Sequence, residues 1–198
     1  MHPKKSQIDY IHLASRIKQW GIELGFQQVA ITDINLGDTS KKLNKWLENG
    51  YHADMEWMAS HGDKRYRPEK LLPGTCSVIV ARMNYLPPDS NMIAVLKDSD
   101  KAYISRYALG RDYHKLIRNR LKKLSKRIEL AVPGSLIQRP FVDSAPVMEK
   151  PLAEKAGLGW MGKNTLIINS DEGSWFFLGE IYTSCLLYTS PSPRDVEE

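Results

Sequence analysis

The 198 residues, 42% hydrophobic and 26% charged, have the length and balance of one sizeable folded domain and exclude collagen, coiled coil and bulk disorder. No stretch approaches the roughly 20 apolar residues that cross a bilayer, and MHPKKSQIDY leads into an amphipathic pattern instead of a signal-peptide core; no membrane partner is expected, and the cytoplasm is the default compartment. Two cysteines, Cys76 and Cys185, cannot build a disulfide framework or a four-cysteine cluster, and a net charge of +5 suits an anionic partner without specifying one.

Ile8, Ile11, Ala14, Ile17 and Leu24 recur at helical spacing and Gly25 stops them, which predicts an amphipathic first helix. A strand fits FQQVAITDI, a second helix carries Leu43, Trp46 and Leu47 and ends at Gly50, and YHADMEWMASHG reads as a helical turn. The polar loop GDKRYRPEKLLPG precedes CSVIVARMNY, a β-branched apolar run expected to be a buried strand ended by Pro87 and Pro88. Leu116, Ile117, Leu121, Leu124 and Ile128 mark one face of a helix from about Asp112 to Leu130, with Asp112 as its cap. LIQRPFVD reads as a strand. PVMEKPLAEKAG reads as a helix opened by Pro146, closed by Gly157 and open to a kink at Pro151, and TLIIN and SWFFLGEIY as two further strands. From Cys185 onward serine, proline and charge replace the apolar alternation, so the tail is expected to be loose. The expected fold is mixed α/β, a largely antiparallel or mixed sheet flanked by helices.

GLGWMGKN contains a literal GxGxxG, but a helix precedes it and a strand follows, the reverse of the order that sets pyrophosphate on a helix N-terminus. What remains is a glycine loop able to approach a flat or anionic cofactor closely, or a plain turn with Trp160 packed on the core. Asp143 lies where a strand gives way to a helix. It reads either as a helix cap or as a carboxyl that could donate a proton if desolvated. Arg65 sits in a charged loop that suits phosphate or amide oxygens and equally suits solvent. Arg111, Lys115, Arg118, Arg120, Lys122, Lys123, Lys126 and Arg127 give the long helix and its approach a basic face, either solvated or set against RNA phosphates. The five histidines show no paired metal-ligand spacing, so no protein metal site is expected.

Four segments in order, KRYRPEKLLPGTCSVIVARMNY, ISRYALGRDYHKLIRNRLKKL, FVDSAPVMEKPLAEKAGLGWMGKNTLI and SWFFLGEIYTS, resemble the epoxyqueuosine reductase family over residues 5 to 184. The resemblance implies a nitroreductase-like cobalamin-binding domain related to reductive dehalogenases. It would reduce epoxyqueuosine to queuosine in the tRNA anticodon, with electrons from an external donor passing through two 4Fe-4S clusters. By motif position it assigns Asp143 as proton donor and Lys150 to substrate tRNA. Arg65, Ser105, Lys163, Asn164, Ile167 and Leu178 fall to the cofactor. A monomer is expected. After IYTS the family continues into cysteine-rich cluster motifs, whereas CLLYTSPSPRDVEE follows here. Residues 1–184 are therefore expected to form the catalytic domain, cut before its iron-sulfur domain, and 185–198 a loosely ordered, non-native tail. Two other readings stand beside this one: a cobalamin-holding module without turnover, and a flavin nitroreductase.

Overall fold

The apolar spacing of the first helix is realised as α1, Tyr10–Glu23, in a computed structural model that describes residues 9–87 and 90–187. Asp9 caps it by accepting the His12 N–H at 3.0 Å, and Leu13, Ala14 and Ile17 face inward. β1 is Gln28–Asp33, α2 Thr39–Glu48, α3 Pro68–Leu71 and β2 Ser77–Asn84, whose first seven residues are all buried as their β-branched composition predicts. α4, Met92–Lys97, precedes the long α5, Tyr113–Ala131, capped by Asp112 through the His114 N–H at 3.0 Å. β3 (Gln138–Phe141), α6 (Glu149–Lys155), the short pair β4 (Trp160–Met161) and β5 (Ile167–Ile168), and β6 (Phe176–Thr183) complete the order.

The main sheet is antiparallel throughout in the order β1-β2-β6-β3, with Val80 and Phe141 flanking Glu180 and Arg82 opposite Leu178; β4 and β5 form a separate hairpin. Alternation along the strands sends Val29, Ile31, Ile79, Ala81 and Ile181 to a core shared with α1 and α5. Val78, Val80, Phe141 and Tyr182 face a second core with Leu152 and Ala153 of α6, Leu158 and Ile167. The four α5 residues Ile117, Leu121, Leu124 and Ile128 are wholly buried. At about 1.5–3 kcal/mol each, their burial far outweighs repulsion among the cations on the opposite face, which costs only tenths of a kcal/mol per pair. Gly179 lets this helix approach the sheet: a Cβ there would stand 2.8 Å from Ile117 Cγ2.

Three expectations change. The sixth helix begins at Glu149 and not at Pro146, because residues 144–147 turn on two short-range bonds, Ser144 N–H to Val142 O and Val147 N–H to Ala145 O. Pro151 therefore sits in the first turn, where its missing N–H costs no helical bond, and no kink is required. The strand read in TLIIN shortens to Ile167–Ile168. In the tail, Cys185 and Leu187 are buried in the α1–α5 core, and the Leu187 N–H donates to Ser77 Oγ at 3.1 Å; the packed chain thus runs past 184. Residues 188–198 of that tail lie outside the described residues.

Candidate functional site

A cleft of about 180 Å³ opens where the first turns of α5 and α6 meet the start of β6 and the β4–β5 hairpin. Its floor is apolar, from Ile167, Phe176 and Leu178, and its polar rim comes from Tyr113, Asp143, Glu149 and Lys150.

Asp143 is the best-held of these. Its backbone is left-handed, φ +56°, an uncommon conformation for a residue with a Cβ. One carboxylate oxygen, Oδ2, accepts the Tyr113 hydroxyl at 2.7 Å and meets His114 Nε2 at 2.9 Å, while the Asp143 N–H donates to Glu149 Oε1 at 2.7 Å. No hydrogen bond reaches its Oδ1 from the described residues, and the side chain is 57% exposed. The N-cap of α6 is Met148, so Asp143 is not a helix cap.

His114 faces two carboxylates, Asp143 through Nε2 and Asp112 through Nδ1, each at 2.9 Å. A neutral imidazole has one N–H and can satisfy only one of them, whereas imidazolium donates to both. Partial burial opposes that charge, but the bonds to Asp143 and Asp112 outweigh it and raise the His114 pKa above the ordinary value. Tyr113 is clamped by stacking, its ring 4.0 Å from that of Phe177 at 7° and 4.0 Å from that of His114. Burial, reinforced by the bond to Asp143, raises its pKa and keeps the hydroxyl protonated as a donor.

Two more acids lie close by, Glu149 at the rim and Glu180 beneath it. Glu180, on the central strand, is wholly buried, and neither carboxyl oxygen has a hydrogen-bond partner among the described residues. Burial, with Glu149 and Asp143 nearby, raises its pKa well above the ordinary glutamate value and favours its protonated form. Glu149 is pushed up to about 7, chiefly by burial and secondarily by the charge of Asp143, against the Asp143 N–H, Lys150 and His114, which favour its ionised form.

Of the residues singled out from the sequence, Asp143, Lys150, Ile167 and Leu178 meet at this cleft. Lys163 and Asn164 occupy the exposed turn of the β4–β5 hairpin, where Asn164 Oδ1 accepts the Leu166 N–H at 3.2 Å. Gly159, at the open end of that hairpin, passes close to the facing strand: a Cβ there would stand 2.2 Å from Ile168 O. Arg65 and Ser105 are not among the lining residues. Arg65 is buried and donates through Nε and Nη2 to the carbonyls of Met58 and Trp57, bracing its own loop. Ser105 is exposed before a single turn at Arg106–Ala108. Tyr113, His114, Glu149 and Glu180 were not anticipated; the first two stand in the ALGRDYH segment already quoted, and nothing local distinguishes the glutamates.

The basic face of α5 is partly spent. Arg120 donates to Gly25 O, Arg127 pairs with Glu23, Lys126 with Glu129 and Lys115 with Asp112, while Arg118, Lys122 and Lys123 are exposed without an acidic partner among the described residues. No helix among the described residues is long and apolar enough to cross a membrane.

Solved structures fix the fold. A selenomethionine-labelled epoxyqueuosine reductase superposes with a TM-score of 0.78 at 20% identity, covering 92% of this chain and 48% of that one. An epoxyqueuosine reductase with a tRNA-Tyr epoxyqueuosine-modified stem loop gives 0.74 at 20% identity over 92% and 48%. The architecture is thus that of an epoxyqueuosine reductase α/β domain. Residues 65–144, which hold Arg65, Ser105, Tyr113, His114 and Asp143, match the family described as epoxyqueuosine reductase QueG, DUF1730. Epoxyqueuosine reductase of Vibrio cholerae is 58% identical over 95% of this chain and 49% of its own length, and that of Escherichia coli K12 is 56% identical over 96% and 49%. The chain is similar to epoxyqueuosine reductases over nearly its whole length and spans about half the length of the curated relatives it matches.

Proposed function

We propose that this chain supplies the cofactor- and anticodon-binding part of a cobalamin-dependent epoxyqueuosine reductase, with Asp143 as the acid. The supporting observation is the grip on Asp143: two donors on one carboxylate oxygen and a third bond to its backbone, at the mouth of a cleft, with the second oxygen unengaged.

A corrin ring offers broad apolar faces edged with amides. The cleft is smaller than the ~300–1,000 Å³ of ordinary small-molecule pockets, so it cannot enclose such a ring and could only back it. The chemistry of the cleft floor and of the neighbouring hairpin suits that task. Ile167 and Leu178 are apolar, Trp160 and Leu166 are half-exposed on the hairpin, and Lys163 and Asn164 can donate to amide oxygens. Ser105 offers a further exposed hydroxyl, and Arg65 enters this reading by holding its loop in shape. When bound, cobalamin supplies the two-electron reduction of the epoxide carbon.

Epoxide, two electrons and two protons give alkene and water, so the protein must deliver protons to an oxygen that is a poor leaving group unprotonated. In this reading Asp143 protonates it, and His114, 2.9 Å away and biased toward its protonated form by two carboxylates, restores the proton Asp143 has given. Tyr113 fixes the carboxyl's orientation and Glu149 its backbone. Lys150, at the rim, reaches the RNA. Arg118, Lys122 and Lys123 of α5 offer phosphate contacts. Electrons reach the cofactor from a donor that these residues do not supply, since a 4Fe-4S cluster takes four thiolates and Cys76 and Cys185 are two. The protein acts as a monomer.

The test is a visible-spectrum titration with cobalamin, followed by single-turnover conversion of epoxyqueuosine in tRNA with a strong chemical reductant. Asp143→Asn is expected to keep the corrin spectrum and to lose about 10²–10⁴-fold in rate, the contribution of a general acid. Retention of flavin but not corrin, or near-unchanged rate in the variant, overturns the proposal.

A further inference from the structure

Asp143 bridges two helices. Its carboxylate is held from α5 by Tyr113 and His114, and its backbone from α6 by Glu149. The backbone half matters because the turn cannot hold itself. Ser144 and Val147 bond only to carbonyls two residues back, and the Asp143 N–H donates to the Glu149 carboxylate, six residues on. Glu149 opens α6, which is anchored by the wholly buried Leu152 and Ala153, so this one bond ties a left-handed residue to a rigid element. We infer that Glu149 is a positioning residue, whose ionised carboxylate fixes the Asp143 turn by accepting its backbone N–H and releases that turn on protonation. The inference deepens the proposed function and rests on the Asp143 reading.

Glu149 is faced by Asp143 from the loop, His114 and Tyr113 from α5, Lys150 on its own helix, and Glu180 and Tyr182 from β6. Burial brings its titration to about 7, so the acceptor gains or loses its charge around neutrality, where a surface glutamate would be fully ionised. The tether is then strong above that pH and weak below it. Charged acceptors bind an N–H more tightly than neutral ones.

The experiment needs no cofactor: amide and carboxyl NMR of the whole chain across about pH 5–9, a range that brackets the Glu149 titration. The Asp143 amide and the Glu149 side-chain carboxyl carbon are expected to titrate with one shared midpoint. Glu149→Gln, a neutral acceptor like the protonated acid, should leave the Asp143 amide at every pH as the wild type leaves it at low pH, so that the midpoint disappears. Glu149→Ala should raise exchange of the Asp143 amide about 5–10-fold, as loss of one hydrogen bond implies, with the Leu152 amide unchanged. Different midpoints in the wild-type chain, a midpoint persisting in Glu149→Gln, or unchanged exchange in a folded Glu149→Ala protein each overturns the inference. The wild-type titration decides even if a variant does not fold. A held turn with failed epoxide reduction would refute the functional proposal and leave this inference standing.

Discussion

Replacing Glu180 with glutamine tests whether a carboxyl sealed between Val80 and Phe141, with no partner on either oxygen, is neutral in the folded protein. Burial raises its pKa, so the native state holds a proton that the unfolded chain releases above the ordinary glutamate value. Folding then binds a proton, and stability must fall as pH rises. The slope is about 1.4 kcal/mol for each pH unit over which the native carboxyl stays protonated and the unfolded one does not. Against a total of roughly 5–15 kcal/mol, that is a large share. Glu149 adds the same sign over its narrower window, from about 4.5 to about 7, worth roughly 3 kcal/mol, and His114, also raised, loses its contribution as pH climbs through its native value. The lowered Asp63, Asp98 and Asp112 oppose this only in acid, near their unfolded value of 3.8. Urea unfolding between about pH 5 and 8 should show wild-type stability declining. Glu180→Gln, carrying a neutral amide of the same shape, should decline less steeply and exceed the wild type at the alkaline end. A wild-type curve that rises with pH, or a parallel one in the variant, would refute the reasoning.

Gly159→Ala should cost about 1–3 kcal/mol, read as a lower melting temperature, because its Cβ would meet the Ile168 carbonyl at 2.2 Å and the hairpin cannot yield without losing its pairing. Arg118→Glu with Lys122→Glu should weaken tRNA binding and flatten its dependence on salt, whereas Arg127→Glu, whose wild-type partner is Glu23, should mainly affect stability. Binding isotherms at several salt concentrations separate the two.

The long helix α5 was legible because apolar spacing and its aspartate cap are local signals, and the same holds for the strands of the main sheet. The start of α6 was misplaced because Pro146 carries the usual mark of a first helical position, while the turn that displaces the helix is set by bonds around Ala145. Asp143 was visible as a residue but not as a bridge: its partners Tyr113 and His114 are 30 and 29 positions away. Glu180 was invisible, since a glutamate in SWFFLGEIY reads as a solvent-facing position until α6 covers that face of the sheet. The partners within the basic face of α5 were hidden for a related reason. Arg120 and Arg127 turn to groups 95 and 104 residues distant, beyond the reach of periodicity.

The place of β6 in the sheet bears on how the chain folds during synthesis. It is the last strand among the described residues, yet it lies between β2 and β3 and bonds to both. Until residue 183 leaves the ribosome, β2 has one unpaired edge and β3 has none of its ladder, and Leu121 and Ile117 face no Gly179. The nascent domain therefore carries open strand edges and an uncovered apolar helix face for most of its translation, the state in which chains pair with the wrong neighbour. Completion depends on contacts between residues about a hundred positions apart, a topology that closes slowly and then all at once.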